Sequence, residues 1–169
     1  MPPDTRRLRV AYDATSLLDV RTGVGVVAAA LLDGLAARDD VEVTAFAVSL
    51  RGRTRLVEEV PAGVAVRTPL LPARGSREVW KRVDRPRIDP FVGRHDVVHG
   101  PNFVVPPSRA GRLATVHDLT CVRFPELCER DTLQYPALIR RALDAGAWIH
   151  TPSEAVRQEV LDAFEAEPS

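Results

Sequence analysis

Four polar residues sit at the ends of two short apolar runs. His99 and Asn102 follow Asp96-Val97-Val98, and His117 and Asp118 follow Leu113-Ala114-Thr115-Val116. An imidazole beside a carboxylate can hold or move a proton, and an imidazole with an amide can hold hydroxyl groups. Each run reads as a buried strand that stops where polar side chains begin. In an open parallel sheet, ligands bind in the crevice at the carboxyl ends of the strands. This arrangement predicts a substrate cleft bordered by His99, Asn102, His117 and Asp118. A further candidate is Gly23-Val24-Gly25. Two glycines at a helix N-terminus let a phosphate approach backbone N–H groups backed by the positive end of the helix dipole.

The residues alone leave plainer roles open. His99 and His117 also suit hydrogen-bonded positions at strand ends, Asp118 suits an Asx turn, and the glycines suit a helix cap. His95 and His99 would lie about 13 Å apart on a strand, too far to share one ion, so no metal is expected there. His150 reads as structural. The string Gly23-Val24-Gly25-Val26-Val27-Ala28 matches the dinucleotide fingerprint only in form. That fingerprint follows the first strand at once and needs an acid after the second strand, where Ala47, Val48 and Ser49 stand. A nicotinamide-dependent oxidoreductase is therefore disfavoured.

These candidates need a scaffold to position them. Residues 8–14 are expected to form a first strand that enters a loop through Asp19. From Val24, the apolar positions Val27, Ala28, Leu31, Leu32 and Leu35 recur at helical spacing, and the pattern ends near Arg38-Asp39-Asp40. Residues 41–48 alternate and are β-branched, predicting a second strand, with a third over 64–68. Pro69, Pro72, Pro86 and Pro90 leave room only for a short helix over 76–83. Residues 130–145 are expected to be helical, with Pro136 forcing a kink or a restart. Residues 148–151 read as a strand, and Ser153 as the N-cap of a helix with Val156, Val160, Leu161 and Phe164 on its apolar face. Strands alternating with helices predict βαβ units, and the right-handed crossover rule makes them a doubly wound, Rossmann-like α/β sheet.

The 169 residues, 45% of them hydrophobic, fit one domain spanning 1–169. Net charge is zero, so no global field draws in nucleic acid. Two cysteines, Cys121 and Cys128, and a polar start over residues 2–9 lead to the expectation of a reduced, cytoplasmic protein. No apolar run approaches the roughly 20 residues of a membrane span. Residues 74–94 carry seven cations against three acids, with Val79, Trp80 and Val83 interleaved. That stretch reads as a solvated charged loop or as a peripheral contact with an anionic membrane surface.

Four motifs in order carry a family resemblance. They are Asp13-Ala14-Thr15 through Thr22-Gly23-Val24-Gly25, then Asp96-Val97-Val98-His99-Gly100-Pro101-Asn102, then Thr115-Val116-His117-Asp118-Leu119-Thr120 with Arg123-Phe124-Pro125-Glu126, and last Thr151-Pro152-Ser153-Glu154. Together they resemble the N-terminal domain of family-4 retaining glycosyltransferases over nearly the whole chain. The resemblance implies half of a GT-B fold, in which two Rossmann-like domains face each other across a cleft. It implies transfer of a sugar from a nucleoside-diphosphate sugar to an acceptor hydroxyl, with retained configuration and no metal or resident cofactor. The C-terminal nucleotide-sugar domain, with its two glutamates separated by seven residues, has no counterpart in this chain, so the fragment alone is expected to be inactive.

By the same resemblance, His117 and Asp118 are the catalytic candidates. Gly23, Val24, Gly25, His99 and Asn102 are the substrate-binding ones, the glycines facing the donor diphosphate. The chain departs from the family's usual arginine–tyrosine pair after the second glycine, having Val26-Val27 instead. A stand-alone, non-catalytic binding module of the same ancestry is the alternative.

Overall fold

Six apolar runs form one all-parallel sheet: β1 (Leu8–Asp13), β2 (Val41–Phe46), β3 (Ala65–Arg67), β4 (Val97–Gly100), β5 (Gly111–Thr115) and β6 (Trp148–His150). The structure, a computed structural model, describes residues 6–18, 23–49 and 53–166. The helices among these residues are α1 (Gly23–Ala36), α2 (Arg53–Glu59), α3 (Ala73–Trp80), α4 (Asp89–Val92), α5 (Thr120–Arg123), α6 (Tyr135–Asp144) and α7 (Glu154–Phe164). In space the strands run β3-β2-β1-β4-β5-β6. The chain thus builds outward from β1 in one direction, returns, and builds outward from β4 in the other. The strands diverge at the β1/β4 boundary, where an open α/β sheet leaves a crevice.

Alternation along each strand divides the core between the two faces. On one face Val10, Tyr12, Val43 and Ala45 meet Ala28 and Leu32 of α1 and Leu56 of α2. On the other, Ala11, Phe46, Val98 and Ala114 meet Trp80, Ile88, Leu138 and Ile139. Gly25, Ala28 and Leu32 are the buried stripe of α1, spaced three and four apart. The Tyr12 hydroxyl donates to the Ala28 carbonyl at 2.7 Å, so the helix is tied to the strand beneath it and the buried phenol is satisfied. Full burial of a side chain such as Leu32 stabilises the fold by about 2 kcal/mol.

The doubly wound α/β sheet is as expected, with element ends shifted. Pro101 cannot donate to a ladder, so β4 stops at Gly100. The short helix expected over 76–83 begins instead at Ala73, directly after Pro72. Pro136 gives the restart: a 3₁₀ turn over Thr132–Gln134 passes into α6 with proline in its first turn, where its missing N–H costs nothing. Ser153 caps α7, its hydroxyl accepting from the Val156 N–H at 3.3 Å. The α2 helix has too little apolar periodicity to be read from the sequence. The loop through Asp19 and the motif residue Thr22 lie outside the described residues.

Candidate functional site

At the β1/β4 divergence the carboxyl edge of the sheet opens into a polar cavity of about 230 Å³. Asp13, the last residue of β1, lies on its floor. A 3₁₀ turn over Thr15–Leu17 follows at once and brings Thr15 back over the carboxylate. The Thr15 N–H donates to Asp13 Oδ1 at 2.9 Å, its hydroxyl donates to the same oxygen, and that hydroxyl accepts from the Val48 N–H at 3.0 Å. Burial pushes the Asp13 carboxyl above the ordinary carboxylate range, while the two bonds from Thr15 and the charge of Arg77 oppose the shift. Beside it the buried Ser16 hydroxyl has no partner among the described residues.

The opposite wall comes from α3 and α6. Ala73, Arg77 and Trp80 lie at spacings of four and three, so one face of α3 looks into the cavity. Trp80 is almost fully buried and its indole N–H donates to the Pro86 carbonyl at 3.0 Å. Tyr135, at the start of α6, closes the far side with Glu129, Asp131 and Thr132. An ion pair of 3.3 Å from Arg74 to Asp131 spans these two walls at the surface. The cavity therefore combines one cation and several carboxylates with an aromatic pair. That composition suits a polyhydroxylated ligand, whose hydroxyls pair with acids and whose ring faces pack on aromatic carbon.

The strand-end turn after β4 supplies Asn102, which lines the cavity. Its geometry depends on Gly100. A Cβ there would lie 1.8 Å from the Val104 carbonyl oxygen, so the chain folds back over a bare backbone. Phe103 takes the left-handed conformation at φ 59°, which costs a non-glycine residue about 1–3 kcal/mol. Two interactions offset that cost. The Phe103 N–H donates to the Thr115 carbonyl at 2.8 Å, and its ring stacks on Tyr135 at 4.7 Å between centroids.

The other sequence candidates are placed around this turn rather than inside the cavity. His117 is half-buried, with Nε2 donating to the Pro101 carbonyl at 2.8 Å and its ring edge-on to Phe103 at 5.7 Å. It braces the turn that presents Asn102. Asp118 is exposed and accepts from the Thr120 N–H at 2.8 Å, an Asx turn that opens α5. It lines an adjoining cavity of about 320 Å³ that shares Glu129, Thr132 and Tyr135 with the first.

His99 lies within β4, not beyond its end, and is 5% exposed. Its Nε2 meets the Thr115 hydroxyl at 2.9 Å, and its ring stands edge-on to Tyr12 at 5.3 Å. Burial, helped by His150, pushes its imidazole down to about 4. Gly23 is exposed, Val24 half-buried and Gly25 buried at the N-terminus of α1; none of them lines either cavity. His95 bonds the Gly93 carbonyl and Ser108, away from His99, and no group of side chains among the described residues could hold a metal. Nor is any described helix long and apolar enough to cross a membrane.

The sequence placed Asp13 in a family motif and Arg77 among the cations of 74–94, but gave no site role to either of them or to Tyr135. Asp13 carried a usable signal, a carboxylate ending the first apolar strand. Arg77 and Tyr135 carried none, since tertiary packing alone brings their helices to this edge.

A family model described as Glycosyltransferase Family 4 matches residues 21–169, a stretch that holds β2 through β6 and every candidate residue except Asp13, Thr15 and Ser16. No curated protein and no solved structure matches the chain. On that match, which spans most of its length, the chain belongs to glycosyltransferase family 4.

Proposed function

We propose that this chain is the N-terminal, acceptor-side domain of a retaining glycosyltransferase that uses a nucleoside-diphosphate sugar. The observation that carries the reading is the polar cavity at the β1/β4 divergence, where Asp13, Arg77 and Asn102 converge in a member of this family. In the reaction, the bond from the anomeric carbon to the diphosphate oxygen breaks. A bond to the acceptor oxygen forms on the same face, and the acceptor proton leaves with the diphosphate. The residues of this chain hold the acceptor. Asp13 accepts from a hydroxyl, Asn102 donates to or accepts from a second, and Arg77 fixes the orientation.

His117 and Asp118 set the turn that faces the reacting centre, and His99 supports them from beneath. The backbone at Gly23, Val24 and Gly25, at the positive end of α1, meets the diphosphate, so no metal is needed for the leaving-group charge. The opposing wall, which grips the nucleotide, belongs to a C-terminal domain. A single wall cannot align two substrates, so the chain by itself transfers no sugar. The protein works in the cytoplasm, and the basic stretch 74–94 touches an anionic membrane face.

Trp80 provides the test. Trp148→Phe leaves it the only tryptophan, inside the cavity. Titration with a panel of glycosides, polyols and sugar phosphates should give a saturable emission change with at least one of them, lost in Asp13→Ala. The same protein should release no diphosphate from UDP- or GDP-sugars. Failure of every sugar-like probe to bind would overturn the acceptor-side assignment, and turnover by the isolated chain would overturn the division of labour.

A further inference from the structure

At the amino edge of the sheet, opposite the cavity, lies a second concavity that the glycosyl-transfer scheme does not use. It is an open groove of about 570 Å³ between the end of α3, the segment after it, α4 and the loop before β5. Its apolar surface comes from Val79, Pro86, Pro90 and Phe91, with Val79 42% and Phe91 40% exposed. Val79 and Phe91 thus leave apolar carbon open to water within the groove.

Arg85, Arg87 and Arg109 line the same groove. The Arg85 and Arg109 guanidinium groups have no carboxylate partner among the described residues. Arg87 reaches Asp84 at 3.7 Å through one terminal nitrogen, and its buried Nε has no partner. The facing carboxylate, Asp89, is already engaged by the Ser108 hydroxyl and the Arg109 N–H through one oxygen, while its buried Oδ2 is unpaired. Two guanidinium groups without a carboxylate partner, and a third held to its own only at 3.7 Å, call for an anion.

The wall is rigid enough to hold such a group. The Ile88 N–H donates to the Pro107 carbonyl at 2.9 Å, and His95 bridges Gly93 and Ser108, so α4 and the loop before β5 form one hydrogen-bonded unit.

We infer that this groove is the headgroup site of an anionic phospholipid, with Arg85, Arg87 and Arg109 on the phosphate and Val79 and Phe91 in the acyl boundary. The inference rests on the membrane contact proposed above, and it confines that contact to one groove. A lipid fits better than a soluble anion because the arginines border exposed apolar side chains. A free phosphate would leave Val79 and Phe91 in water, whereas a bilayer covers both.

Sedimentation with mixed phosphatidylglycerol–phosphatidylcholine vesicles at low salt tests it. The chain should pellet with these and not with pure phosphatidylcholine. Arg85→Ser with Arg109→Ser should weaken the partition about 25-fold, at roughly fivefold per arginine. Phe91→Ser should remove the part of the binding that survives added salt. Inorganic phosphate, which reaches the same guanidinium groups, should displace the arginine-dependent part of the binding and leave the part that Phe91 supplies. Complete release of the chain by phosphate, at an ionic strength where chloride leaves it bound, would overturn the lipid assignment in favour of a free-anion site. If the wild-type chain ignores anionic vesicles, both the membrane contact and the groove fall. If the groove variants bind normally while Arg74→Ser with Arg82→Ser does not, the contact stands and the groove falls. Unchanged circular dichroism of each variant keeps misfolding out of the comparison.

Discussion

His99 and Thr115 are joined across the β4–β5 pairing by a 2.9 Å hydrogen bond, and the same threonine hydroxyl reaches His150 on β6 at 3.3 Å. One hydroxyl has one proton, so it donates to one ring and accepts from the other. The chain thus spans three adjacent strands beneath the strand-end turn. It works with a neutral His99, whose imidazole is pushed down to about 4 by burial and by His150. As pH drops below about 6.5 the unfolded chain takes up a proton that the folded chain refuses, so stability falls. The loss is on the order of 3 kcal/mol by pH 4, where it levels off. Urea denaturation at pH 7 and pH 4.5 should show it, and His99→Gln should flatten the slope. An equal slope in the variant would assign the effect elsewhere.

Gly100 and Gly34 should respond in opposite directions to the same substitution. A methyl group at Gly100 meets the Val104 carbonyl oxygen at 1.8 Å and its carbon at 2.6 Å, both backbone atoms that cannot rotate away. Gly100→Ala should cost at least about 3 kcal/mol and disturb the Phe103 turn. Gly34 is exposed within α1, with nothing within 4 Å of an added Cβ. Gly34→Ala should stabilise by about 0.5–1 kcal/mol through helix propensity. Thermal melts of the two variants settle the contrast, and equal melting temperatures would defeat it.

The difference between these glycines shows where sequence reading succeeds. Period-two strands, a helical stripe and proline punctuation are local, and from them the parallel sheet and the edge that carries the site were legible. His99 was expected at that edge because it follows two valines. It sits one step inside because the strand runs on through it to Gly100 and stops before Pro101, and packing of the 103–105 backbone on that glycine then folds the chain back. Asn102 was legible as a polar residue beyond a strand. Arg77 was not, because its value comes from α3 lying opposite Asp13, a contact between residues far apart in the chain. Asp118 shows the converse: its motif drew attention, and the structure gives its carboxylate a local task at the head of α5.

Asp84 is the strongest remaining test of how the fold positions the cavity wall. Both of its oxygens bond Arg112 of β5 at 2.7 Å, and Oδ1 also meets Arg141 of α6 at 3.3 Å. The Arg112 side chain is only 9% exposed, whereas Arg141 is 24% exposed. Removing the carboxylate strands a buried guanidinium, so Asp84→Asn should cost about 3 kcal/mol. Removing Arg141 leaves Asp84 its bidentate partner, so Arg141→Ala should cost about 1 kcal/mol or less. Trp80 packs against the same cluster on its way to the cavity, so in the Trp148→Phe background its emission should move towards that of an exposed indole in Asp84→Asn and stay fixed in Arg141→Ala. Identical denaturation midpoints for the two variants would show that the bidentate pair with Arg112 adds nothing to stability, because only a directional pair distinguishes the partner it buries from the one it leaves in water.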